Sequence, residues 1–509
     1  MKNFITFLIV SIAFLLTNDA IAGSLSTSNL TPNVGPHAVG LRIAQQYDYS
    51  RAMQDQVDAF GNAVHASPAR PIQILIWYPA KASTSKHMQI VDYQQAGLSD
   101  VDYGASVAEA AKKRVSWLEG PEKTQFSSST LATRDAVASD GTFPVVIYAP
   151  SFAASAYENL DLCEYLASQG YVVISSRSLG ARSAMMTNDI EGIEAQAADI
   201  AFLANFAQTI RQADMNKVAA MGYSWGGMAN VFAAARSSRI KALISLDGSI
   251  RYWPKIWSAA TYVRAANTPV PMLFLGAHMP TAEMMEADDK LGPSFLNTMK
   301  YSDLYVTTMH PMKHADFNSW HLRFAKDDAF GDYQRADVLQ AYRSSVLYVQ
   351  KFLDAYLKAD AGSLTFLRES PARHGIAPQV MSMEFHPEKF ELLTEADFIN
   401  RFVKGDYKDA QGIYSEMATS SPDFKLSPLN LNNLGYQLLR GKNPRGAVEL
   451  FKLATYIEPK YGNAFDSEGE AYEALGETTL AIAAYEKAVA VDKDQPNAVA
   501  RIIALRSGK

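Results

Sequence analysis

The chain has 509 residues, 48% hydrophobic and 20% charged, which is enough apolar material for a large buried core and more than one domain. Against 53 Asp and Glu it carries 47 Lys and Arg, a net charge of −6 that excludes a basic nucleic-acid footprint. No long polar tract marks it as disordered, and the single cysteine, Cys163, excludes an internal disulfide and a cysteine-based metal cluster. At the N-terminus Lys2 precedes an apolar run over residues 4–17, followed by Ala20-Ile21-Ala22. This is the pattern of a secretory signal cleaved after residue 22, and the run is shorter than the roughly 20 residues that span a bilayer. The expectation is an exported protein, periplasmic or extracellular, with no integral membrane segment after cleavage; an uncleaved anchor is the alternative.

Residues 38–46 and 71–79 read as strands, with a long polar connection between them. Residues 81–142, rich in Ser, Thr and Asp, read as a surface insertion with one helix near 107–118. From 144 onward short apolar strands alternate with helices: strands at 145–148, 172–175, 217–221, 242–246, 271–275 and 304–309, with helices at 158–168, 193–211, 227–236 and 337–359. Strands that are apolar throughout, separated by amphipathic helices, predict a mostly parallel sheet covered on both faces. The domain plan is a signal at 1–22, an α/β domain over 23–360, a polar linker at 361–394 and a helical domain at 395–509. In that last part, a shift of 34 positions pairs Gly435 with Gly469, Ala447 with Ala481, Phe451 with Tyr485 and Ala454 with Ala488. Small residues at helix crossings and aromatics at fixed offsets resemble tetratricopeptide repeats: two clear copies, a looser one ahead of them, and a capping helix at 496–505.

The motif that carries chemistry is Gly222-Tyr223-Ser224-Trp225-Gly226. It stands between an apolar strand and a helix, where a serine on a sharp turn is pushed out of the sheet and the glycines avoid collision with their neighbours. A serine hydroxyl needs a base. In a sheet of this kind the base sits after the last strand, which leaves His310 and His314, with His321 more distant; His314 has room to swing over the sheet edge. The acid that orients it belongs at a strand's carboxyl end. Asp247 ends the run Ala-Leu-Ile-Ser-Leu, where an unpartnered carboxylate is costly, while Glu283, Glu286, Asp288 and Asp289 lie in a polar segment after the next strand. An oxyanion hole takes two backbone N–H groups, one from Trp225 and one from the loop Pro150-Ser151-Phe152-Ala153, where Phe152 is the choice.

On these residues the chain resembles an α/β hydrolase of the platelet-activating-factor acetylhydrolase and dienelactone-hydrolase-like esterase branch. The resemblance covers residues 38–360. In that acetylhydrolase family the acid closely follows the nucleophile, as Asp247 follows Ser224, and the histidine stands three before a phenylalanine, as His314 does before Phe317. Its oxyanion loop reads His-Gly-x-Gly where this chain has Pro150-Ser151-Phe152-Ala153. Dienelactone hydrolases proper use a cysteine where Ser224 stands, and such hydrolases usually lack repeats. The resemblance implies a serine hydrolase of carboxylic esters, short-chain or acetyl esters foremost, using Ser224, His314 and Asp247 through an acyl-enzyme.

Tyr252, Trp253 and Trp257, in an aromatic segment after Asp247, either wall a substrate pocket or pack as an ordinary helix. Arg177 and Arg182 follow a strand, where they serve structure more readily than an anionic substrate. Cys163 shares an apolar helix side with Leu160 and Leu166, as a buried inert thiol does. No metal-ligand spacing, phosphate loop or dinucleotide fingerprint occurs, so no cofactor is expected. The partners expected are a small-molecule ester substrate and, through the repeats, a protein or peptide; no nucleic acid is expected. Two other functions fit the same chain: a serine peptidase of this fold, and an inactive interaction protein that uses its repeats.

Overall fold

A computed structural model describes residues 30–53, 69–101, 126–265, 268–277 and 295–508. The expected signal at 1–22, the expected helix at 107–118 and the acidic alternatives at 283–289 lie outside them. The chain divides into two compact units, one of residues up to 299 together with 303–387, the other of residues 300–302 and 388 onward.

The first unit is built on a 10-stranded sheet. Its strands are β1 (Ala38–Asp48), β2 (Arg70–Ala80), β3 (Ala132–Arg134), β4 (Phe143–Ala149), β5 (Val172–Ser176), β6 (Ala213–Tyr223), β7 (Ile240–Leu246), β8 (Met272–Ala277), β9 (Leu304–Met309) and β10 (Met381–His386). They lie in the order β10-β9-β8-β7-β6-β4-β5-β2-β1-β3. From β9 to β5 all neighbours are parallel, whereas β10 on β9, β2 on β5 and β1 on β2 are antiparallel. Successive side chains leave a strand on opposite faces, so a strand covered on both sides is apolar at every position. Val146, Tyr148, Val173, Met221, Ile244 and Leu275 face one core, which the helices Leu160–Ser168 and Arg335–Leu357 close. Val145, Ile147, Val172, Ala220, Leu243 and Phe274 face the other, closed by the helices Ile190–Phe206 and Trp225–Ala234. The parallel run places the loops after β4, β6, β7 and β9 at one edge of the sheet, where ligands of open α/β sheets bind. This is a mostly parallel, α/β-hydrolase-like architecture with helices on both faces.

Two expectations need correction. The stretch 81–142 is not a surface insertion throughout. Its helix Ile90–Val101 buries Ile90, Tyr93, Ala96 and Ser99, one side of the helix at every third position, and Met88 and Ala132 join the same core. Tyr93 accepts a hydrogen bond from Trp77 Nε1 at 2.9 Å, and β3 adds a parallel edge strand to β1. An average dominated by Ser, Thr and Asp hides so narrow an apolar side. Nor is 361–394 a plain linker. It contains the helix Ala361–Arg368 and the edge strand β10, and the first unit runs to 387. In β10 only Met381, Met383 and Phe385 turn to the core, while Ser382, Glu384 and His386 alternate with them, so the segment reads as polar.

The second unit is helical. Helices Pro428–Arg440 and Pro444–Ile457 recur as Gly462–Ala474 and Thr478–Val491, with the same lengths of 13 and 14 residues and a shift of 34 positions (428 to 462, 444 to 478). Glu395–Lys404 and Ala410–Ser420 precede them and Pro496–Arg506 follows. In each full pair a glycine lets the partner helix's aromatic ring in: a Cβ on Gly435 would lie 2.4 Å from the Phe451 ring, and one on Gly469 would lie 2.6 Å from the Tyr485 ring. Among the described residues no helix is long and apolar enough to cross a membrane.

Candidate active site

Ser224 stands between β6 and the helix Trp225–Ala234 with φ 55° and ψ −116°, a backbone conformation rare for a residue with a Cβ. The surrounding glycines make the turn possible. A Cβ on Gly222 would lie 2.4 Å from the backbone of Gly226, and one on Gly226 would lie 2.1 Å from the Ala149 carbonyl oxygen at the end of β4. The turn is tied to the end of β7, since Ser224 donates its N–H to Leu246 (3.0 Å) and accepts from the Ser249 N–H (2.8 Å). The side chain therefore stands where β6, β4 and β7 all end.

Asp247 follows β7, also at positive φ (42°), and is 2% exposed. Its Oδ1 accepts the Tyr252 hydroxyl (2.8 Å) and the Ala277 N–H (3.0 Å), and its Oδ2 lies 2.6 Å from His314 Nδ1. Burial alone would raise its pKa, but the hydrogen bond and charge of His314, with the Ala277 and Tyr252 donors, hold the carboxyl below its ordinary value. His314 opens a single helical turn after β9, and the Tyr223 hydroxyl donates to its carbonyl at 2.8 Å. Its Nε2 lies 2.9 Å from Ser224 Oγ. Desolvation works against the charged ring, but the hydrogen bond and charge of Asp247, with a further contribution from Glu158, outweigh it and raise the His314 pKa above the ordinary 6.5. With Nδ1–H donated to Asp247, Nε2 is left to accept the serine proton, the relay that nucleophilic catalysis by serine uses.

The other histidines weighed after β9 are engaged elsewhere. His310 Nε2 lies 3.0 Å from Ser382 Oγ of β10, and His321 Nε2 lies 3.5 Å from Asp316. Phe152 and Trp225 stand side by side, their rings perpendicular at 5.6 Å. Trp225 opens its helix, where a backbone N–H lacks an intrahelical acceptor, and Phe152 donates its N–H to no group among the described residues. The loop that carries Phe152 is anchored on several sides: Gln196 Nε2 donates to the Pro150 carbonyl (2.7 Å), Ser178 N–H to Ala154 (3.0 Å), and Ser151 N–H to Glu158 (2.6 Å).

The aromatic segment divides. Trp253 is 37% exposed and meets the edge of Trp225, extending a run of rings that begins beside Ser224. Trp257 packs edge-to-face on Phe295, and Tyr252 spends its hydroxyl on Asp247. Arg182 pairs with Glu191 at the surface, and Arg177 faces Asp100, whose burial pushes its carboxyl up to about 6 against the opposing Arg177 charge. Cys163 is fully buried, and burial beside Glu164, Glu158 and Asp161 pushes its thiol pKa up. Among the described residues no group of three or more His, Cys, Asp or Glu is arranged to hold a metal. Sequence reasoning missed Tyr223, Gln196 and Glu158 as supports of the site, and it read Tyr252 as a pocket-wall or packing residue where its hydroxyl holds Asp247. Glu158 carried no distinguishing signal, since Asp161 and Glu164 follow it on the same short segment.

The sheet, the strained serine turn and the serine–histidine–aspartate contact define an α/β-hydrolase-like protein. The protein-family model described as Chlorophyllase matches residues 117–270, a span that includes Ser224 and Asp247 and stops short of His314. Among solved structures, the chain is similar to a ferulic acid esterase from Streptomyces cinnamoneus, with 18% identity over 70% of this chain and 98% of that chain and a TM-score of 0.48. No curated protein matches the chain.

Proposed function

We propose that the chain is an exported serine hydrolase of carboxylic esters, short-chain or acetyl esters foremost, of the platelet-activating-factor acetylhydrolase and dienelactone-hydrolase-like kind. The observation that carries this reading is the continuous relay through one imidazole, 2.9 Å to Ser224 Oγ on one side and 2.6 Å to Asp247 Oδ2 on the other. The partial match to the Chlorophyllase family model supports it. His314 takes the Ser224 proton as Oγ attacks the ester carbonyl. The Phe152 and Trp225 N–H groups hold the oxyanion, and the charged His314 is stabilised by Asp247. His314 then protonates the leaving alkoxide and activates the water that hydrolyses the acyl-enzyme.

Trp253 is read as part of the acyl-side wall, and the repeated helix pairs as tetratricopeptide repeats offering a surface to an extended peptide. Export rests on the segment at 1–22 alone. The test is Ser224→Ala in the full chain. It should fold as the parent does, lose nearly all turnover of p-nitrophenyl acetate and escape labelling by a fluorophosphonate. Unchanged turnover would overturn the proposal.

A further inference from the structure

Glu158 has no part in the relay, yet it joins the two loops that flank it. Its carboxylate is buried and surrounded by donors. Oε1 accepts the Tyr148 hydroxyl (2.8 Å) and the Ser151 N–H (2.6 Å), and Oε2 accepts the Ser151 hydroxyl (2.7 Å) and the Asn318 amide (3.4 Å). Tyr148 itself accepts from Asn159 Nδ2 at 2.7 Å, which commits its proton to Glu158. Ser151 immediately precedes Phe152, and Asn318 lies four positions beyond His314. The neighbouring backbone reinforces the join: the Glu158 carbonyl accepts the Trp320 N–H (2.9 Å), and Asn159 bonds Phe317 and Ser319.

The titratable groups that face Glu158 are Tyr148 from β4, Tyr223 from β6, Cys163 from the helix that follows it and His314. Of these only His314 becomes a cation. Four donors and no acceptor suit a carboxylate ion, and the ion favours a positive charge on His314.

We propose that Glu158 is a positioning residue for ester cleavage: through Ser151 it sets the Phe152 N–H toward the oxyanion, and its charge supports the imidazolium of His314. This rests on the serine-hydrolase reading above. Burial pushes the carboxyl up to about 7 against the Ser151 and Tyr148 hydrogen bonds, and the His314 pKa is raised above its ordinary value as well. A protonated oxygen can still face a hydroxyl that turns round, but the Ser151 N–H cannot turn, so protonation loosens the loop. Activity then falls on acidification because two groups take up protons.

The test is Glu158→Gln in the full chain, assayed with p-nitrophenyl acetate across pH. We expect kcat to fall about 10- to 100-fold, less than the roughly 100- to 1,000-fold of an oxyanion donor removed outright because the Phe152 N–H is displaced and not lost, with KM within about twofold. The acid limb of log kcat/KM should become shallower, since one of two protonations is removed, with its midpoint at lower pH. Ser151→Ala keeps the N–H contact and should lower kcat less, also without a KM change. This second variant decides the matter if E158Q fails to fold. Wild-type kcat in S151A and, where it folds, a wild-type acid limb in E158Q overturn the proposal. Ser224→Ala separates this from the parent reading: turnover surviving in S224A sinks both, whereas an inert S224A with unaffected E158Q and S151A sinks only the role of Glu158.

Discussion

Replacing Asp247 by Asn keeps the side chain's size and changes which proton His314 carries. The carboxylate faces three donors: Tyr252 O–H and Ala277 N–H on Oδ1, and His314 Nδ1–H on Oδ2. An asparagine has one oxygen and one NH2 to divide among them. With its oxygen toward Tyr252 and Ala277, the NH2 faces His314, and Nδ1 has to accept. The ring proton then sits on Nε2, where it blocks uptake of the Ser224 proton. With its oxygen toward His314, the productive tautomer survives, but the NH2 opposes the Ala277 N–H. A hydroxyl can turn round and that backbone donor cannot, so a buried N–H is left unpaired at a cost of about 1–3 kcal/mol. The unproductive tautomer is favoured by that amount, about 5- to 150-fold in population. Loss of the negative charge beside the imidazolium adds to it, giving an expected fall in kcat of about 10⁴-fold, the size such a substitution has in serine hydrolases. The assay is kcat for p-nitrophenyl acetate at pH 8 together with the rate of fluorophosphonate labelling. If D247N kept kcat within tenfold of the parent, the assignment of Asp247 as the partner of His314 would be wrong.

Tyr252→Phe removes one of two donors to Asp247 Oδ1 and leaves Ala277, so kcat should drop about tenfold, the value of one hydrogen bond to a charged group, with KM unchanged; no drop in steady-state kinetics would return Tyr252 to a packing role. Gly226→Ala puts a Cβ 2.1 Å from the Ala149 carbonyl and 2.6 Å from that of Pro150, both backbone next to the Phe152 loop. It should cost about 1–3 kcal/mol of stability and at least 100-fold in kcat, and a variant with parental melting and turnover would contradict the close approach. Because the His314 pKa is raised and the base has to be neutral, kcat/KM should decline as pH falls, with the midpoint of the decline above 6.5; a midpoint below 6.5 in a pH–rate profile would refute the raised value.

Much of this architecture is legible in one dimension because each parallel strand between two helical layers is apolar at every position, and such strands need no neighbour to be recognised. The serine turn is legible for a related reason: glycines at 222 and 226 answer steric contacts with segments that follow or precede at fixed places in the chain. What escaped has a different character. Strand β10 alternates Met381, Met383 and Phe385 with polar residues, and the helix Ile90–Val101 buries one narrow side, so both average to polar composition. Tyr252 reads as one aromatic among several until its hydroxyl is seen on Asp247. Trp253 and Trp257 have the same chemistry and lie four positions apart, yet one joins the rings beside Ser224 and the other packs on Phe295.

Residue types and local order by themselves determine the sheet with helices on both faces, the strained turn that presents Ser224, and the recurrence of helix pairs, because these show as periodicity and as small residues at fixed offsets. Only the folded arrangement decides which histidine reaches the serine, which carboxylate reaches that histidine, and that Glu158 joins the Phe152 and His314 loops. Those choices depend on distances between groups some 70 to 160 positions apart in the chain, set by strand order and loop path. A hydrogen bond a few tenths of an ångström too long is lost, and no local pattern encodes that separation.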